Sequence, residues 1–201
     1  MPLSQEFLAP YSSKTPPWGF DGLGYIVYKR TYARIVDEDS GQTEEWWQTC
    51  QRVVDGADAI GAELTKDESE RLFDYMFNLK GLPGGRMLWQ LGTPNNFRLG
   101  GDSLCNCWFV DIKKPEDFAW MFERLMLGGG VGFSILHPQR LGVVRQGVVT
   151  NHNVPDADYI TPDKREGWSE CLLRAMKTYL GSKDDPTELS YSTEMIRPAG
   201  A

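Results

Sequence analysis

One stretch constrains the fold of this chain more than any other. Asp102-Ser103-Leu104-Cys105-Asn106-Cys107-Trp108-Phe109-Val110 is a short apolar run carrying two cysteines. About twenty residues later, Leu127-Gly128-Gly129-Gly130-Val131-Gly132-Phe133-Ser134 opens a second apolar run on a string of glycines. Between them, Phe118, Met121, Phe122, Leu125 and Met126 recur at helical spacing, and Pro115 suits the first position of a helix. The pattern predicts a β-α-β unit, with residues 104–112 a buried strand and 131–136 its parallel neighbour. Cysteines two apart on a strand share a face, so the expected picture sets Cys105 and Cys107 side by side next to a bare backbone.

The residues leave two readings of each feature open. The thiols suit redox chemistry on a bound small molecule, or serve as small buried hydrophobes. The glycines allow a backbone to approach a ligand or a neighbouring strand, or form a plain packing turn. A dinucleotide fingerprint is excluded by order, because here the helix precedes the glycines and the strand follows them. Structural zinc is disfavoured as well: no second Cys or His pair stands at ligand spacing, so no metal site is expected.

Upstream the pattern is helical. Trp46, Trp47, Cys50, Val53, Val54, Ala57 and Ile60 form one stripe over about 44–63. Thr65-Lys66-Asp67-Glu68 fits a capping box for a second helix whose inner face is Leu72, Phe73, Met76 and Phe77, stopped by Gly81-Leu82-Pro83-Gly84-Gly85. Residues 1–36 are rich in Pro, Gly and aromatics and read as an irregular arm that packs on something, with a short helix beginning at Thr31-Tyr32-Ala33-Arg34. Downstream, 137–162 reads as a loop of about twenty-five residues, functional or disordered. Thr161-Pro162 opens a last helix, with Gly181 as its stop, and 189–196 reads as a third strand with an uncovered edge. Asp156, Asp158, Asp163, Lys164, Arg165 and Glu166 read as a solvated helix start. Arg197, beyond that strand, suits a phosphate or base contact or a surface salt bridge.

The expected class is α/β, with an N-terminal arm and helical region over 1–100 and β/α units over 101–201. The formal net charge of -7 argues against sequence-independent nucleic-acid binding. No run of eighteen apolar residues suggests a membrane span, and the first residues lack a signal-peptide pattern, so a cytoplasmic location with reduced thiols is expected.

Taken together, several segments resemble the ribonucleotide reductases, nearest to the monomeric adenosylcobalamin-dependent class. They are Leu8-Ala9-Pro10-Tyr11, Tyr28-Lys29-Arg30-Thr31-Tyr32-Ala33-Arg34, Gly81 to Trp89, Asn106 to Val110, Gly128 to Phe133, Pro162 to Trp168, and Ile196-Arg197-Pro198-Ala199-Gly200. The resemblance implies a helical region followed by the first three strands of a ten-stranded α/β barrel, incomplete in this chain. It implies thiyl-radical reduction of ribonucleoside triphosphates, with Cys107 as a reducing cysteine and Asn106, Gly129 and Gly130 lining the substrate. Met87 falls at a substrate-contacting position that is often threonine in the family. Arg197 falls in the effector loop, and 137–162 in part of the allosteric nucleotide site. Cys105 is extra to the pattern. The implied partners are a C-terminal half carrying the radical cysteine, the ribonucleotide, a dNTP effector and a dithiol such as thioredoxin. Adenosylcobalamin would bind largely outside this stretch. The chain is expected to be one half of a split enzyme or a truncated form, inactive alone. Rival readings are an assembly module of the same fold and a stand-alone thiol oxidoreductase.

Overall fold

The computed structural model describes residues 2–141, 144–153 and 155–199. They form two compact units, Met1–Cys105 and Asn106–Ala201.

The first unit runs α1 (Gln5–Leu8), α2 (Leu23–Thr31), the hairpin β1 (Ile35–Asp37) and β2 (Gln42–Thr43), α3 (Trp46–Ala57), α4 (Lys66–Phe77), α5 (Gly85–Gln90) and α6 (Pro94–Leu99). α3 buries Trp46, Cys50, Val53 and Val54 on one stripe, and a π-turn at Asp58–Ala62 ends the regular helix earlier than the sequence suggests. The capping box that opens α4 is present: Glu68 N–H donates to Thr65 Oγ1 at 3.3 Å, and Thr65 N–H donates to Glu68 Oε2 at 2.9 Å. Its inner face is Ser69, Phe73, Met76 and Phe77. Leu72 stands at the edge of that stripe and is 36% exposed, so it is not part of the core.

The N-terminal arm packs against these helices. Leu3, Leu8 and Tyr28 are buried in the cluster of Trp46, Phe73 and Met76. Tyr11 sets its ring edge-on to Phe73 and Phe77 and donates its hydroxyl to Asp74 at 3.1 Å. Tyr28 meets Trp46 edge-on at 5.0 Å and stacks on Trp18 at 5.5 Å. Thr31 ends a helix instead of beginning one, because the β-branched Ile35 and Val36 and the left-handed Gly41 turn the following chain into a hairpin.

Beneath the hairpin lies a buried ion pair. Glu44 accepts from Arg52 Nε at 2.7 Å, from Thr49 Oγ1 at 2.7 Å and from Arg34 N–H at 3.1 Å. Arg52 also donates to the Leu91 and Leu88 carbonyls at 2.6 and 3.0 Å. The pair thereby joins the hairpin, α3 and the end of α5.

The second unit runs β3 (Cys107–Asp111), α7 (Pro115–Met126), β4 (Gly130–Ser134), β5 (Val148–Asn151), β6 (Tyr159–Ile160), α8 (Arg165–Leu180) and β7 (Glu188–Ser192). β3 and β4 are parallel neighbours joined by α7, the β-α-β unit expected, with Pro115 as the first helical residue. The segment 137–162 is not a plain loop: it contains a 3-10 turn at Pro138–Leu141 and the short strands β5 and β6. Both strands pair parallel with β7, which therefore lies at the centre of a three-stranded sheet. The expected bare edge of the third strand is covered on both sides by the chain itself. Reciprocal bonds hold β6 to β7: Asp158 carboxylate accepts from Ser190 N–H and Oγ, both at 2.7 Å, and Asp158 N–H donates to Ser190 Oγ at 3.0 Å.

α8 begins at Arg165, three residues later than Pro162, and packs along α7, with Lys177 Nζ 3.0 Å from Glu116. Gly181 does stop it, but not through a left-handed turn, since its φ is -75°. A Cβ there would collide with the Lys177 carbonyl. No helix among the described residues is long and apolar enough to cross a membrane.

Candidate functional site

Cys107 opens β3 and Gly130 opens β4, and the two residues are partners in the parallel register. Gly130 N–H donates to the Asn106 carbonyl at 2.8 Å, which fixes that register at its first rung. Alternation along the strands puts Cys107, Phe109 and Asp111 on one face, opposite Gly130, Gly132 and Ser134. Trp108 points to the other face, where its ring meets Trp120 edge-on at 5.8 Å. The Arg124 guanidinium lies over both rings, at 5.2 and 4.8 Å.

The face carrying Cys107 is open. Cys107 is a free, exposed thiol and Phe109 is 68% exposed. The glycines opposite supply no side chain, so the thiol stands beside uncovered backbone and an exposed phenyl ring. This differs from the buried strand expected, because among the described residues of the unit no helix covers this face. At the far end of the face, Lys113 Nζ lies 3.1 Å from Asp111, and its hydrogen bond holds the Asp111 carboxyl below its usual range.

The glycine run has separable tasks. Gly128 takes a left-handed φ of 77°, which closes the turn after α7. Gly129 lies against the Trp108 indole, where a Cβ would sit 3.0 Å from Cδ1 and 3.1 Å from the Arg124 carbonyl. A Cβ on Gly130 would meet only the Asn106 carbonyl, at 3.9 Å. Gly129 is thus needed for packing, whereas Gly130 leaves room on the open face.

Cys105 does not share the strand. The chain curls through a 3-10 turn at Gly100–Ser103, held by Ser103 Oγ donating to the Gly100 carbonyl and by Asn96 Nδ2 donating to Ser103 Oγ. Cys105 N–H then donates to the Gly101 carbonyl at 3.2 Å, so β3 begins only at Cys107. Cys105 is likewise free and exposed. Cys50 is fully buried in the first unit, where burial pushes its thiol pKa up, an inert environment for a thiol.

Asn106, Cys107, Gly129 and Gly130 are therefore brought together. Met87 belongs to the first unit, on α5, and is 40% exposed. Arg197 lies five residues past β7, where its Nε pairs with Asp163 at 2.9 Å, the salt-bridge reading of the sequence. Among the described residues no group of three or more His, Cys, Asp or Glu could hold a metal ion. Sequence reasoning missed the ring of Phe109 as part of the open face. It also missed β5, whose signal was the β-branched Val148-Val149-Thr150.

A helical unit and a parallel β-α-β pair bearing an exposed thiol over glycine backbone define a thiol-bearing α/β protein. Residues 3–93 match the family model of the ribonucleotide reductase alpha domain, and the chain belongs to the ribonucleotide reductase family. It is 36% identical to the adenosylcobalamin-dependent ribonucleoside-triphosphate reductase of Euglena gracilis, over 94% of this chain and 28% of that protein. The enzyme of the same name from Lactobacillus delbrueckii subsp. bulgaricus is 33% identical over 99% of this chain and 35% of its own length. A crystal structure of a B12-dependent (class II) ribonucleotide reductase superposes with a TM-score of 0.75 and 30% identity, over 100% of this chain and 36% of the other. The chain spans about a third of the length of these relatives.

Proposed function

We propose that this chain supplies the first part of a ribonucleotide reductase that converts ribonucleoside triphosphates to 2′-deoxyribonucleotides by thiyl-radical chemistry. The observation that carries the reading is the open face on which Cys107 stands opposite Gly130. A reducing thiol must be accessible, and the ribose it reduces must lie against backbone with no side chain in the way. Cys107 donates one of the two reducing thiols. Asn106, Gly129 and Gly130 line the ribose, and Met87 is a further substrate contact. The radical cysteine and the second reducing thiol come from polypeptide corresponding to the remaining two thirds of the relatives, so this stretch has no turnover by itself.

Arg197 and the segment 137–162 belong to the response to a dNTP effector. Asp163, two residues before α8, pairs with Arg197 and so ties the effector segment to the approach of that helix. A cytoplasmic dithiol of the thioredoxin kind restores the thiols. Adenosylcobalamin would supply the radical when bound. Two cavities of the first unit, about 600 and 630 Å³, suit small ligands and not a corrin. These two cavities therefore do not fit the cofactor.

The test is co-expression with the complementary polypeptide, followed by an assay with adenosylcobalamin, a dithiol and each ribonucleoside triphosphate. Turnover that needs both parts and is abolished in multiple cycles by Cys107→Ser supports the reading. A stable complex whose behaviour ignores Cys107 would replace it with an assembly module.

A further inference from the structure

The second exposed thiol has no place in the reaction above. We propose that Cys105 is a resolving thiol, which attacks Cys107 after turnover and carries oxidation out of the site as a Cys105–Cys107 disulfide. The proposal rests on the reading of Cys107 as a reducing thiol.

Both sulfurs are free and exposed. The peptide chain alone holds them close, because a single residue, Asn106, separates them. Two Cα atoms so placed are about 5–7 Å apart, and a disulfide needs about 4.4–6.8 Å. In a regular strand the spacing would be about 6.6 Å, at the outer limit of that window, with the pleat dictating both side-chain directions. Cys105 is outside the strand, with its N–H turned back onto Gly101, so the ladder does not dictate its direction. A ring closed through one residue is strained, and strained disulfides are readily reduced. That property suits a relay and not a structural bridge.

The exchange balances. Turnover leaves Cys107 joined to the second reducing thiol of the complementary polypeptide. The Cys105 thiolate attacks Cys107 Sγ, the Cys105–Cys107 bond forms, and the older S–S bond breaks. The second thiol leaves as a thiolate and takes a proton. An external dithiol then attacks Cys105 Sγ, is itself oxidised to a disulfide, and returns both thiols reduced.

The test uses this chain as it stands. Cys107 is placed in a mixed disulfide with glutathione, and release of glutathione is followed by intact mass and peptide mapping. The expected result is release at least about tenfold faster in the wild type than in Cys105→Ser, because the attacking thiol is intramolecular. A peptide linking Cys105 to Cys107 should appear only in the wild type. Equal persistence of the mixed disulfide in both proteins, with unchanged circular dichroism, would overturn the proposal. The turnover assay with Cys107→Ser decides the reductase reading separately, since it does not depend on Cys105.

Discussion

Glu44 and Arg52 meet inside the first unit with their side chains 6% and 13% exposed and Nε 2.7 Å from the carboxylate. The two side chains also bond to the Arg34, Leu88 and Leu91 backbone and to Thr49, so the two charges act as a joint between the hairpin, α3 and the 88–91 segment. Removing one partner strands the other charge in the interior. Arg52→Ala should therefore cost about 3–5 kcal/mol in urea unfolding. The double replacement Glu44→Gln with Arg52→Met should cost less than Arg52→Ala alone, because no charge is left behind. An equal or larger loss in the double variant would show that the pair itself, and not the stranded charge, carries the stability.

Gly129 and Gly130 should respond differently to an added methyl group. Gly129→Ala forces a methyl against the Trp108 indole and should destabilise by about 1–3 kcal/mol. Gly130→Ala meets nothing closer than 3.9 Å and should fold as the wild type does. It nevertheless sets a methyl group on the face that Cys107 shares. In the complemented enzyme, Gly130→Ala should raise KM or abolish turnover at unchanged thermal stability. Normal kinetics in that variant would remove Gly130 from the ribose site.

Asp158 gives a sign-definite dependence on pH. Hydrogen bonds from Ser190 N–H and Oγ hold its carboxyl below the ordinary value of about 3.9. The unfolded chain then binds the proton more readily than the folded one. The stabilisation is present above the unfolded pKa and is lost as pH falls through the folded one. Asp158→Asn should lower stability at neutral pH, and the gap from wild type should narrow in acid. Chemical denaturation at several pH values reads this directly; a gap that widens in acid would refute it.

Thr65 caps α4 through a bond to the third residue of the helix. Thr65→Ala should cost about 1 kcal/mol, while Thr65→Ser should be close to neutral. Thermal unfolding of the two variants measures the difference.

The parts of the fold legible in the sequence were those set by local periodicity. α3, α4 and α7 follow from stripes such as Trp46, Cys50, Val53 and Phe73, Met76, Phe77, and from Thr65 and Pro115 at their starts. The pairing of β5 and β6 with β7 was not legible. Strands as short as Tyr159–Ile160 carry no alternation, and their pairing is fixed by Asp158 reaching Ser190, 32 residues away. The register of Cys107 against Gly130 could be read in outline. The displacement of Cys105 from the strand could not, because it follows from Asn96 and Ser103 tightening the turn before it.

The ribbon of β3 and β4 has a further consequence, which concerns how the protein is handled before it works. Parallel strands normally lie with both faces covered, and two of them alone make a poor sheet. Here Phe109, Phe133 and Leu136 stand 68%, 56% and 81% exposed. A chain carrying interior chemistry on its outside is a substrate for chaperones and a seed for coaggregation at high concentration. The yield of folded chain should then fall as its concentration rises, and a surface that covers Phe109, Phe133 and Leu136 should restore it.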